Sequence, residues 1–182
     1  GWELYCPWNA AVELYHVLFQ AGKPLGIGLA GYHALDSCRI EKGYRHWGHD
    51  IGDGDTPLEA GLGFACAFDK EIAFIGKAAL LRQRDEGVVR RLTQFLLPDQ
   101  NARPYHDEPI FRDGEQIGYV TSANYGHTLG GNVALGYISA EHPITHAFID
   151  SGAFEIEIAG TRFPAAASLR PMYDPDSLRV RQ

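Results

Sequence analysis

Basic residues are the minority in this chain, 16 Lys and Arg against 23 Asp and Glu, for a formal net charge of −7. That balance argues against nucleic acid or an anionic membrane surface as partner, because both call for clustered Lys and Arg. No apolar run approaches the roughly 18 residues of a membrane-spanning helix. Cysteine is scarce and odd in number. Cys6, Cys38 and Cys66 show no Cys-x-x-Cys spacing, so they read as three reduced and mostly buried thiols. Such usage favours a reducing compartment, the cytoplasm or an organelle matrix. The opening Gly1-Trp2-Glu3-Leu4-Tyr5-Cys6-Pro7 offers no methionine and no charged leader, hence no signal peptide. A strand at the first residues belongs to a sheet whose partners come earlier, so the chain is expected to be a fragment of a longer protein.

What is present is apolar and turn-rich. In 182 residues, 45% hydrophobic content suffices for one core or two small ones. Twelve percent aromatic residues and 21 glycines lean toward β-rich architecture. Residues 2–6 read as a short strand stopped by Pro7. Asn9 is the expected N-cap of a helix through Gln20, with Ala11, Leu14, Tyr15 and Leu18 on one stripe. A second helix is expected over residues 31–41 with Leu35, Cys38 and Ala34 facing inward, ended by Gly43. Residues 62–68 read as a buried strand and residues 77–84 as a short helix.

After Gly87 the texture changes. Strand-like runs at residues 88–97, 109–112, 116–123, 132–139, 154–158 and 161–166 are separated by Asp113-Gly114, Gly130-Gly131, His142-Pro143 and Ala159-Gly160. Short strands at intervals of about ten residues with turn residues between them suggest a sandwich or small barrel. The fold class is therefore α+β, with an α+β portion over residues 1–87 and a small antiparallel β-barrel over 88–182.

The chemistry-bearing stretch is Arg39-Ile40-Glu41-Lys42-Gly43-Tyr44-Arg45-His46-Trp47-Gly48-His49-Asp50. Glu41 falls at a helix C-terminus, where the macrodipole disfavours a negative charge by a few tenths to about 1 kcal/mol. A carboxylate there either grips a ligand's amino and ring N–H groups or lies exposed beside Lys42 or Arg45. Arg39 and Arg45 either hold Glu41 ionised or serve as ordinary helix-end cations. Tyr44 and Trp47 suit either stacking on a heterocycle or core packing. His46, His49 and Asp50 lack a distant third ligand, so they read as structural and no metal site is expected. Asp50, Asp53 and Asp55 lack the Glu a calcium loop requires, since that place is Gly61.

Several of these stretches together resemble the folate-binding region of the glycine-cleavage aminomethyltransferases, in the version fused to flavin-dependent dimethylglycine and sarcosine dehydrogenases. The markers are Gly1-Trp2-Glu3-Leu4, Ala34-Leu35-Asp36-Ser37-Cys38-Arg39-Ile40-Glu41, Gly48-His49-Asp50-Ile51, Thr56-Pro57-Leu58-Glu59 and Phe74-Ile75-Gly76-Lys77. The second portion resembles that family's barrel through Gly118-Tyr119-Val120-Thr121-Ser122 and Val133-Ala134-Leu135-Gly136-Tyr137. The resemblance implies a tetrahydrofolate site where a one-carbon unit leaves an amine or iminium and joins folate N5 and N10. It places Glu41 as a folate-binding residue. It also places Lys70, where the family has arginine, and Tyr173, the nearest match to a C-terminal tyrosine. Lysine lacks arginine's planar fork, and the other reading of Lys70 is a solvated cation beside Asp69 and Glu71.

The family's essential aspartate lies before the equivalent of Gly1, so no catalytic residue is assigned within this chain. FAD would belong to the longer parent and not to this chain. The implied partners are folate and a methylamine-derived one-carbon donor, with a missing N-terminal portion or a second copy of the chain covering exposed surface. The competing reading is a structural or docking module that braces a flavin oxidoreductase.

Overall fold

The computed structural model describes residues 2–181; Gly1, where the first family marker begins, lies outside them. Contacts divide the chain into a unit ending at Tyr32 and a unit beginning at His33.

In the first unit, one turn of 3-10 helix at Trp8–Ala10 leads into helix α1, Ala11–Gly22. Residues 2–6 form no strand, and Trp2 and Tyr5 are exposed. A lone strand leaves its N–H and C=O groups without partners, so the expected opening strand is corrected to a segment without regular structure. Asn9 lies inside the 3-10 turn and its side chain caps nothing. The stripe of Ala11, Leu14, Tyr15 and Leu18 is helical, but no residue of α1 is buried.

Helix α2, Tyr32–Glu41, ends as expected at Gly43. Gly43 adopts φ +66°, and the N–H groups of Gly43 and Tyr44 return to the carbonyls of Ile40 and Arg39 at 3.0 and 2.9 Å. Glycine enters this left-handed region without steric cost. The inward face differs from the expected one. Ala34, Leu35 and Cys38 are exposed, while Ser37, Ile40 and Glu41 are buried. The cysteines are corrected with it, since Cys6 and Cys38 are exposed and Cys66 is only half-buried, all three as free thiols.

Residues 62–68 are not a strand. They fold into turns around a 3-10 segment, Gly63–Ala65, with Phe64 exposed. Helix α3, Lys77–Glu86, stops at Gly87 with φ +89°.

Six strands follow: β1 Arg90–Leu97, β2 Pro109–Arg112, β3 Glu115–Gly126, β4 Gly131–Ser139, β5 Phe154–Ile158 and β6 Thr161–Ser168. A short helix α4, His146–Asp150, separates β4 from β5. The strands close into an antiparallel barrel in the order β1-β4-β3-β2-β5-β6. Closure comes from β1 pairing with β6 at Gln94–Ser168, Phe95–Ala167 and Leu96–Ala166. A closed sheet leaves no edge to cover.

Phe95, Ile110, Val120, Ile138 and Ile156 fill the interior. Because side chains alternate along a strand, β4 is buried on both faces. Ala134 and Ile138 join the interior core, while Val133, Leu135 and Tyr137 join Leu92 around Ile40 of α2. Ile40 is wholly buried, a burial that contributes about 1.5–3 kcal/mol and fixes the end of α2 on the barrel wall.

A candidate ligand site at the end of helix α2

Glu41 is buried at 4% exposure, not exposed beside Lys42 or Arg45. Its Oε1 accepts the backbone N–H groups of Thr128 and Leu129, at 2.7 and 2.8 Å, in the turn between β3 and β4. Two N–H donors on one carboxylate oxygen offset the unfavourable position at the helix C-terminus. Its Oε2 accepts no hydrogen bond from a described residue. Gly126 permits this approach, since a Cβ there would lie 3.0 Å from Oε1 and 2.7 Å from Val133 Cγ2.

Besides Ile40, the other contacts of α2 with the barrel are polar. Ser37 Oγ donates to the Tyr125 carbonyl at 2.6 Å, and Asn124 Nδ2 donates to Asp36 Oδ2 at 3.1 Å. Burial raises the Asp36 carboxyl, but the bonds from Arg39 and Asn124, with the charges of Arg39 and His46, bring it below its ordinary value.

Asp50 is the anchor of the turn that follows α2. It is wholly buried and accepts from Arg39 at 2.5 Å and from the His46 N–H at 2.9 Å. Thr121 Oγ1 and Ser122 Oγ both donate to its Oδ1 at 2.6 Å. Successive strand residues ordinarily face opposite sides. The register of β3 against β4 shifts between Val120 and Ser122, and that bulge lets both hydroxyls reach one oxygen. Arg39 and Arg45 are therefore not partners of Glu41. Arg39 serves Asp36 and Asp50, while Arg45 donates to the carbonyls of Ala60 and Gly43. Tyr44 and Trp47 are exposed rather than core. The rings of His46 and His49 lie 4.6 Å apart, and among the described residues no three metal-binding side chains converge.

Tyr173 is brought to the same corner. Lys42, next to Glu41, bonds through its ammonium to the carbonyl and carboxylate of Asp174, next to Tyr173. Tyr173 is half-buried, with the Arg179 guanidinium 6.0 Å from its ring centre. Lys70 is exposed and lines a cavity of about 670 Å³ with Cys66, Phe74 and Ile75. Neither Glu41 nor Tyr173 lines that cavity.

Thr56 and Glu59 exchange the two bonds of a capping box at 2.9 and 3.2 Å. The Glu59 carbonyl then accepts the Leu92 N–H at 2.8 Å, docking this turn on β1. A larger cleft of about 900 Å³ lies on the outer face of β3 and β4, lined by His49, Arg90, His106, Tyr119 and Tyr137 among others. The Arg90 guanidinium covers the Tyr137 ring at 3.7 Å and pairs with Asp55 at 2.8 Å. Burial pushes the Tyr137 phenol up.

This pairing of a helical segment with a six-stranded barrel has counterparts among known proteins. The GCVT N-terminal domain matches residues 1–70, and the Glycine cleavage T-protein C-terminal barrel domain matches residues 90–174. The chain belongs to the glycine-cleavage T-protein family. Across 181 residues it is 42% identical to 4-methylaminobutanoate oxidase (formaldehyde-forming) of Paenarthrobacter nicotinovorans, covering 100% of this chain and 21% of that protein. It is 39% identical over 183 residues to the mitochondrial sarcosine dehydrogenase of Homo sapiens, covering 100% of this chain and 20% of that one. The chain thus spans about a fifth of the length of these relatives.

The T-protein fold is equally evident in three dimensions. The glycine cleavage system aminomethyltransferase T of Bartonella henselae superposes with a TM-score of 0.76 at 24% identity, covering 93% of this chain and 45% of that one. No helix among the described residues of this T-protein relative is long and apolar enough to cross a membrane.

Sequence reasoning missed Asp50 as the hub of the turn, because its partners Thr121 and Ser122 lie about seventy positions away. It also missed Gln94, which shares β1 with Arg90, Arg91 and Thr93 and so does not stand out as a polar residue there.

Proposed function

We propose that the chain is the tetrahydrofolate-binding C-terminal part of a larger one-carbon transfer enzyme of the dimethylglycine/sarcosine dehydrogenase type. On this reading residues 1–87 complete the folate-binding domain and residues 88–182 form its barrel. The observation that carries it is the state of Glu41. One carboxylate oxygen is fixed by two backbone N–H groups and the other is left without a partner among the described residues. Such a group has a set direction and acceptor capacity to spare, which suits the amino and ring N–H donors of a pterin.

Tetrahydrofolate supplies the nucleophilic nitrogens that take up the one-carbon unit. Glu41 would hold the ring, Tyr173 would close the same corner, and Lys70 would face a more distant polar edge as a point charge. Their work is capture and orientation, so that the donor meets folate before water does. The one-carbon donor is a methylated amine, and any flavin is carried by the preceding part of the longer protein.

The alternative, a docking module without folate, is favoured by one feature. Glu41 already has a structural task at the β3–β4 turn, which explains its burial without a ligand. Isothermal titration of tetrahydrofolate into the full-length protein separates the two. Binding that weakens in Glu41→Ala supports the folate reading, and absence of heat at high micromolar ligand leaves the docking module.

A further inference from the structure

Gln94, in the middle of β1, is 4% exposed and takes no part in the ligand contacts proposed above. Its Nε2 donates to the carbonyls of Ile40 and Glu41, at 2.6 and 3.1 Å. Its Oε1 accepts the N–H of Met172 at 2.7 Å. The last carbonyls of a helix have no partners within the helix, and here two of them meet one side-chain amide. A primary amide offers two donors and an acceptor oxygen in a single plane, and here both donors and the oxygen bond backbone groups.

The consequence lies in what those backbone groups carry. Glu41 bears the carboxylate aimed at the β3–β4 turn, and Met172 immediately precedes Tyr173. Lys42 and Asp174 close a second link at the same junction, one residue beyond Glu41 and two beyond Met172. Nothing else among the described residues bonds both the end of α2 and the segment before Tyr173 from within the barrel wall.

We propose that Gln94 is a positioning residue that sets the Glu41 carboxylate and Tyr173 at a fixed separation on the barrel. The ligand in this proposal rests on the tetrahydrofolate reading above, whereas the geometry does not. Without the two donors, the last turn of α2 loosens and Glu41 Oε1 loses its register with the Thr128 and Leu129 N–H groups. Gln94→Glu keeps the shape and the acceptor for Met172 while removing at least one of the two donors, since a carboxyl carries one O–H at most.

The test has two arms. Amide hydrogen exchange of the 182-residue chain is followed at Thr128 and Leu129, with β5 as the internal control. Gln94→Glu is expected to speed exchange at those two amides by about tenfold or more while β5 keeps its protection. Unchanged protection at both amides overturns the positioning role. If Gln94→Glu opens β5 as well, Gln94→Asn, one methylene too short to span the junction, is judged by the same criterion.

In the full-length protein, Gln94→Glu is expected to weaken tetrahydrofolate binding by about tenfold, and to have no further effect in a Glu41→Ala background. Equal weakening in both backgrounds overturns the claim that it acts through Glu41. Failure of the unaltered protein to bind tetrahydrofolate removes the folate reading alone, and the exchange arm still decides the role of Gln94.

Discussion

The Asp50 carboxylate is wholly out of solvent and meets the Arg39 guanidinium at 2.5 Å. Three further donors, from His46, Thr121 and Ser122, complete its surroundings. Removing Asp50 would leave the Arg39 guanidinium with Asp36 alone and the other three donors without their acceptor, and breaking a buried network of this kind costs about 3–5 kcal/mol. Asp50→Ala should therefore destabilise the chain by about that amount in urea denaturation. A loss under about 1 kcal/mol would mean that Asp36 and water suffice for the Arg39 charge.

Gly126→Ala tests the close approach of the β3–β4 turn to α2. The added methyl would stand 2.7 Å from Val133 Cγ2 and 3.0 Å from Glu41 Oε1. Overpacking of this kind costs about 1–3 kcal/mol. The expected result is a lowered melting temperature together with faster amide exchange at Thr128 and Leu129. A melting temperature equal to that of the unaltered chain would show that the turn shifts without penalty.

Most of the barrel was legible in the sequence, because turn pairs such as Asp113-Gly114 and Ala159-Gly160 bracket runs that alternate or stay apolar. Pro109–Arg112 and Phe154–Ile158 have the expected bounds. The orientation of α2 was not legible. Apart from the apolar cluster around Ile40, its neighbours on the barrel are a backbone carbonyl, an asparagine amide and a pair of turn N–H groups. A helix packed on such partners buries Ser37 and Glu41 and leaves Leu35 outside, so an apolar stripe points to the wrong face. The register shift at Thr121 has no local signature either, and with it the Asp50 hub stayed hidden. Residues 2–6 and 62–68 have strand-like composition, but the described residues provide no adjacent strand for them.

Acid should weaken the α2–barrel contact through Asp36. Its folded-state carboxyl lies below the ordinary 3.8, so the unfolded chain takes up the proton first as pH falls. The contribution is therefore complete above the ordinary value and is lost as pH drops through the folded one. Asp36→Asn should show a smaller stability difference between about pH 6 and about pH 3 than the unaltered chain. An identical difference would assign the acid sensitivity to other carboxylates.

Lys70 is exposed, and its ammonium makes no hydrogen bond among the described residues. Lys70→Glu should leave the melting temperature within about 2 °C, since surface substitutions rarely exceed about 0.5 kcal/mol. In the full-length protein it should weaken tetrahydrofolate binding several-fold if the lysine faces the ligand. Unaltered affinity would identify Lys70 as a solvated cation and remove it from the site.

Glu41→Gln addresses the folate assignment most directly. The amide oxygen can still accept the N–H groups of Thr128 and Leu129, so the melting temperature should barely move, while the charge offered to a ligand is gone. Calorimetric titration of the full-length protein with tetrahydrofolate should show affinity reduced by about 1–3 kcal/mol, roughly five- to 150-fold. Equal affinity in the variant and the unaltered protein would contradict the account and leave Glu41 as a brace for the β3–β4 turn.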